Sequence, residues 1–140
     1  MPHEQDRETQ RIEAFSDGVF AIVITLLVFN IRPPTPEQVE SAGLLGALAA
    51  AWPIYLAFAA SFFFILVMWI NHHRLFTVIR RSDNNLMLLN GLLLFGVTLV
   101  PFPTQIVAEH LLDEHQGAAA LVYVSWFLVV ALFFNGLWAY

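Results

Sequence analysis

Four stretches of the 140-residue chain are long and apolar enough to cross a bilayer: about residues 11–31, 44–70, 86–107 and 118–140. A spanning helix takes roughly 20 residues. Hydrocarbon offers backbone N–H and C=O groups no outside partner, so each stretch satisfies its own by forming a helix. The fold class that follows is all-α, a polytopic transmembrane helical protein with four transmembrane helices in this chain and a single domain over residues 1–140. Composition points the same way, because 59% hydrophobic and 12% charged residues are too few charges to cover a soluble core of that size. The lipid bilayer is thus the first partner.

The absence of cysteine excludes disulfides and thiolate metal sites. A formal net charge of −5 argues against a nucleic-acid partner. The opening MPHEQDRETQRI is polar and acidic, unlike the basic start of a signal peptide, so the first helix is read as retained. All six basic residues are arginines. Arg7 and Arg11 precede the first helix, Arg74, Arg80 and Arg81 lie between the second and third, and Arg32 lies on the opposite side. The positive-inside rule then puts the N-terminus and the Asn71–Asn85 loop in the cytoplasm. Trp52, Trp69, Trp138 and Tyr140 stand near helix ends, where interfacial aromatics belong.

The connections carry their own signals. Arg32-Pro33-Pro34 ends the first helix, and Thr35-Pro36 with Gln38 forms a cap, a proline N1 and a capping box for an early start of the second. Pro53 lies inside that helix and is expected to kink it. Ser82 or Asp83 caps the third helix, which meets Pro101 and Pro103 near its far end. Gly117 reads as a C′ residue closing the last loop. The ending LFFNGLWAY has neither polar terminus nor helix stop, and reads as an interrupted helix of a longer protein.

The first span holds the chemistry. Ile22, Thr25, Leu26 and Phe29 recur at spacings of three or four and share one helix face. That stripe is either ordinary packing or, in a ring of such helices, an apolar constriction with a hydroxyl layer. Arg11, Phe15, Ser16 and Asp17 form a polar base below it. Asp17 inside a spanning helix is an ion or proton site, or a structural partner of another helix. Arg11 lies six positions away, on a different face, so Asp17 is expected to bond across to a neighbour. His72 and His73 point about 100° apart on a helix and do not suit one metal; hydrogen-bonded histidines at a helix end are the expectation. No HExxH, GxSxG, P-loop, GxGxxG or TVGYG pattern occurs, so the chain is not read as an enzyme, and no catalytic or metal-binding residue is assigned.

Arg11-x-x-x-Phe15-Ser16-Asp17-Gly18, opening a first transmembrane helix, resembles the RxxxFSDG signature of the TMEM175 (DUF1211) potassium channels, prokaryotic type. The continuation AIVITLLVFNI, then Trp69-x-x-His72-His73-x-x-Phe76, then Leu89-Asn90 through Pro101-Phe102-Pro103-Thr104, is similar to the same family's first three helices. The resemblance implies a potassium-permeable homotetramer in a prokaryotic plasma membrane, with potassium as permeant ion and no cofactor. It implies that the first helix lines the pore, with a constriction at Ile22 and further layers at Thr25, Leu26 and Phe29. It also implies a signature hydrogen-bond network of Arg11, Ser16 and Asp17 with Trp69 and His72 or His73. Six helices are expected for such a unit and four are present. A cation- or proton-coupled transporter using Asp17, and a non-conducting membrane scaffold, are the alternative readings.

Overall fold

In the computed structural model residues 2–79 and 82–140 are described; Arg80 and Arg81, two of the arginines counted for the expected orientation, lie outside them. Helix α1 (Pro2–Leu26) tightens into a 3-10 turn at Leu27–Asn30. A regular helix to Ile31 was the expectation, and the prolines explain the difference. Pro33 and Pro34 have no N–H for the Phe29 and Asn30 carbonyls, and the Ile31 N–H bonds back only to Val28 O, at 3.0 Å.

The second span is two helices. Thr35 and Gln38 form the capping box that opens α2 (Pro36–Ala50), and Gly43 interrupts it with φ 69° and ψ 163°. The chain breaks again at Ala51 before α3 (Trp52–Phe76). Pro53 therefore does not kink a helix interior. It lies in the first turn of α3, where a missing N–H leaves no gap in the ladder. Helix α3 also runs six residues past Ile70, so Asn71–Phe76 is helix rather than loop. His73 and Arg74 in its last turn suit the negative end of the helix dipole.

Asp83 caps α4 (Asn84–Thr98) by accepting from Leu86 N at 2.9 Å. The third span breaks where Pro101 withholds an N–H from Val97. Val100 N turns to Val97 O at 3.1 Å, and Phe102 N bonds Leu99 O at 3.1 Å because Pro103 is the next gap. The Gly96 carbonyl, which Val100 would otherwise serve, takes the indole N–H of Trp126 at 3.0 Å. Helix α5 (Pro101–His110) follows, then α6 (Gln116–Trp138). Gly117 does not close a helix; it lies in the first turn of α6. The turn before it is built by Asp113, which accepts from His115 N at 2.7 Å and pairs with His110 Nδ1 at 2.7 Å.

The described chain thus has four apolar spans, over Arg7–Asn30, Pro36–Phe76, Asn84–His110 and Gln116–Trp138. Helix α1 lies on α3 and α4, α4 on α6, and α5 between α3 and α6. Phe20 and Val23 of α1 and Leu27 of the 3-10 turn join Ile65 of α3, Leu93 and Val97 of α4 and Val130 of α6 in one buried cluster. Helix α2 touches little but α3, and of its residues only Ala47 is buried.

Candidate functional site

Helix α1 has two apolar faces. One, carrying Ser16, Phe20, Val23 and Leu27, is buried against α3 and α4. The other carries the predicted stripe and is bare within the chain: Ile22 is 60% exposed, Leu26 40% and Phe29 75%. Phe15 lies below them, also exposed. At 100° per residue Phe15, Ile22, Leu26 and Phe29 fall within a narrow sector, well away from the buried one. Thr25 borders the stripe. Its hydroxyl proton goes to Ile22 O at 2.8 Å, so its oxygen can only accept from, or coordinate, anything further.

The buried face is held by a polar seam in the N-terminal half of α1. Helices α1 and α3 run antiparallel there, and two bonds one turn apart join them. Trp69 Nε1 donates to Asp17 Oδ1 at 2.7 Å, and His73 Nδ1 meets Glu13 Oε1 at 2.8 Å. Trp69 and His73 stack on each other, with an interplanar angle of 24°. Asp17 thus bonds to a neighbouring helix. Trp69 serves as its donor and lies about two turns inside α3, not at the helix end expected of it.

Behind the seam lies a buried chain of three side chains. His72 Nε2 bonds Asn90 Oδ1 at 2.9 Å, Asn90 Nδ2 donates to Ser16 Oγ at 2.9 Å, and Ser16 Oγ donates to Ile12 O at 2.8 Å. All three are buried. The adjacent histidines therefore serve different helices, His72 facing α4 and His73 facing α1. Inter-helix hydrogen bonds of this kind are worth about 0.6–2 kcal/mol each in a membrane.

A second hydroxyl chain ties the opposite half of the bundle. Thr104 Oγ1 gives its proton to Val100 O at 2.8 Å, so it accepts from Ser61 at 2.7 Å, and Ser61 in turn accepts from Tyr123 at 2.9 Å. This joins α3, α5 and α6. Asn30, at the end of the 3-10 turn, donates to Pro101 O at 3.1 Å and fixes the C-terminal end of the first span to α5. Arg32 and Glu109 pair across the same junction at 3.7 Å, exposed.

Of the signature residues, Ser16, Asp17, Trp69, His72 and His73 come together. Arg11 does not join them: it is exposed, without a hydrogen bond or ion pair among the described residues, and lines an open cleft of about 540 Å³ with Glu8, Phe15 and Asn90. Phe15 makes no polar contribution. Glu13 and Asn90 carry the network although neither stood out as a site residue. Asn90 had a readable signal, a lone amide in the apolar run LMLLNGLLLF that needs a buried partner. Among the described residues no cluster of three or more His, Asp or Glu side chains is placed to hold a metal.

The family model described as endosomal/lysosomal potassium channel TMEM175 matches residues 11–101. A potassium channel of Chamaesiphon minutus is 54% identical over 134 residues, covering 96% of this chain and 66% of its own length. A potassium channel of Streptomyces collinus is 46% identical over 132 residues, covering 94% of this chain and 63% of its own. The chain thus spans a little under two thirds of the length of these relatives. The crystal structure of a lysosomal potassium-selective channel TMEM175 homolog from Chamaesiphon minutus superposes with a TM-score of 0.93 at 54% identity, covering 95% of this chain and 71% of that one.

Proposed function

We propose that this chain, which belongs to the TMEM175 family, forms the pore helix and supporting helices of a potassium-permeable channel in which four copies surround one axis. The observation that carries the reading is the bare apolar stripe of α1 opposite its buried face. A stripe of that kind, opposite a face anchored on α3 and α4, fits a pore or inter-subunit surface. Ile22 forms the apolar neck, where loss of hydration water sets the barrier, and Leu26 and Phe29 continue it outward. Thr25 offers hydroxyl oxygen to a partly dehydrated cation beside the neck. The permeant ion is the only ligand in this reading, and no residue has a catalytic role. The membrane is a prokaryotic plasma membrane, with the N-terminus, the seam and the residues after Phe76 on the cytoplasmic side.

Asp17 holds Trp69 rather than facing the stripe, which favours an anchoring role over that of a transporter's carrier carboxylate. The test is potassium flux from liposomes with sodium as the comparison ion, on the chain and on Ile22→Asn. Passive flux that favours potassium, with the preference weakened by Ile22→Asn, is expected. Flux that saturates and stops in Asp17→Asn would instead identify a transporter, and a folded chain without flux a scaffold.

A further inference from the structure

The inner network leaves one polar atom over, and bond directions identify it. Ser16 has a single hydroxyl proton and gives it to Ile12 O. Its oxygen therefore accepts from Asn90 Nδ2, which turns Asn90 Oδ1 toward His72. That oxygen carries no proton, so His72 Nε2 is the donor. A neutral ring then bears a bare lone pair at Nδ1. His72 is wholly buried, and its Nδ1 is the one buried side-chain nitrogen or oxygen without a partner among the described residues. Phe20 and Phe76 cover the ring, with centroids 5.4 Å and 4.5 Å away. An unpaired acceptor there opposes folding, since no water offsets its desolvation.

We propose that His72 Nδ1 is a proton-accepting site that couples acidity at the inner face to the seating of α1 on α3. A proton taken from inner water adds to the Nδ1 lone pair and makes the ring an imidazolium. The bond to Asn90 survives, because Nε2 already donates. The new N–H has no acceptor in the present arrangement. The charges that act on the ring are those of Asp17 and Glu13 on α1 and of His73 on α3 itself, and α4 contributes only the neutral Asn90. Asp17 already accepts from Trp69, and Glu13 is paired with His73. A carboxylate that turns toward Nδ1 gives up its bond in the seam. Protonation and the closed seam therefore oppose each other, and by linkage each weakens the other. Since α1 carries the stripe, the same event shifts the neck; that last step alone rests on the proposed channel.

The test is nitrogen NMR of the imidazole and indole groups of the full chain in lipid nanodiscs, from about pH 8 to about pH 4, a window that reaches beyond the range of an unperturbed histidine. At the alkaline end His72 is expected as the Nε2–H tautomer. On acidification Nδ1 gains a proton, and the Trp69 indole resonance moves with the same midpoint. In His72→Gln, which keeps a donor for Asn90 but has no second ring nitrogen, the Trp69 resonance stays put. An Nδ1–H tautomer, an Nδ1 still bare at the acid end, or an indifferent Trp69 would each overturn the proposal on the unmodified chain, whether or not His72→Gln folds. No flux is needed for these readings, so an intact titration without conduction would sink the channel and spare the switch.

Discussion

Asn90 Nδ2 lies 2.9 Å from Ser16 Oγ, a contact between residues 74 positions apart that passes the polar chain from α4 to α1. Ser16→Ala leaves a buried amide N–H without its acceptor, and Asn90→Leu does the same to His72 Nε2–H. Each is expected to destabilise the fold by about 1–3 kcal/mol. The two losses should not add. Once Asn90 is gone the Ser16 hydroxyl has only Ile12 O to serve, so Ser16→Ala in that background is nearly silent. A coupling of about 0.5–3 kcal/mol in a double-mutant cycle, measured by unfolding in lipid-like detergent, is expected. Strictly additive losses would show that the chain of bonds does not act as a unit.

The sequence makes one side of this network legible and hides the other. Spacing alone put Ile22, Thr25, Leu26 and Phe29 on a common face, because helix periodicity is local; that Phe15 shares it was not read. It also indicated that Asp17 needed a partner outside its own helix. Which partner was beyond periodicity, since Trp69 lies 52 positions on and Asn90 is 74 from Ser16. Nor did adjacency reveal that His72 and His73 serve different helices. Prolines announced breaks but not their form. Pro53 and Pro101 open helices instead of kinking them, since each falls at a first turn once the ladder before it has given way. The 3-10 turn at Leu27–Asn30 needed the count of missing donors at Pro33 and Pro34, a property of the loop rather than of the helix.

Two glycines on α4 should respond in opposite ways to alanine. A Cβ on Gly96 would lie 3.1 Å from Phe133 Cδ2 and 3.2 Å from Val130 Cγ2, while one on Gly91 meets nothing within 4 Å. Gly96→Ala therefore pushes α4 away from α6 and strains the Trp126 bond to the Gly96 carbonyl. A loss of about 1–3 kcal/mol is expected from overpacking. Gly91→Ala gains up to about 1 kcal/mol from helix propensity. Melting temperatures of the two variants in the same detergent decide the matter, and a Gly96→Ala that melts at or above the parent would refute the close packing.

At Gly43 the backbone itself sets the requirement. With φ 69° and ψ 163° it occupies a region that is essentially glycine's alone. Gly43→Ala adds no clash, since open space surrounds the site. The expected penalty of about 1–3 kcal/mol is conformational, and it stays local because α2 packs so little. Hydrogen exchange should quicken in α2 and remain unchanged in α3 and α4. Slower exchange in α2 would mean that the segment straightens without strain.

The turn between α5 and α6 carries a pH dependence whose sign is fixed. The hydrogen bond from His110, with a second from the His115 backbone, holds the Asp113 carboxyl below its ordinary value of 3.8. A carboxyl depressed on folding stabilises above its unfolded value, and that contribution is lost as pH falls through the folded one. The turn should therefore loosen only in acid below the ordinary carboxylate range. Carbon NMR of the Asp113 carboxyl should titrate below 3.8 in the parent and move up toward it in His110→Ala. An unchanged midpoint in that variant would remove His110 as the cause.

Thr25 offers the sharpest test of the stripe. Its proton is held by Ile22 O, so what it has left to offer is oxygen, which suits a cation and not an anion. In the proposed pore, Thr25→Val replaces that oxygen by a methyl of similar size and leaves the helix face otherwise intact. If the hydroxyl helps to replace ion hydration, the loss is on the scale of one hydrogen bond, about 0.5–1.5 kcal/mol. That corresponds to a roughly 2- to 12-fold fall in potassium flux. Thr25→Ser, which keeps the oxygen, should conduct like the parent. Equal flux in the valine and serine variants would leave Ile22 and Leu26 to set the barrier by apolar contact alone, since the only polar atom in the stripe would then be idle.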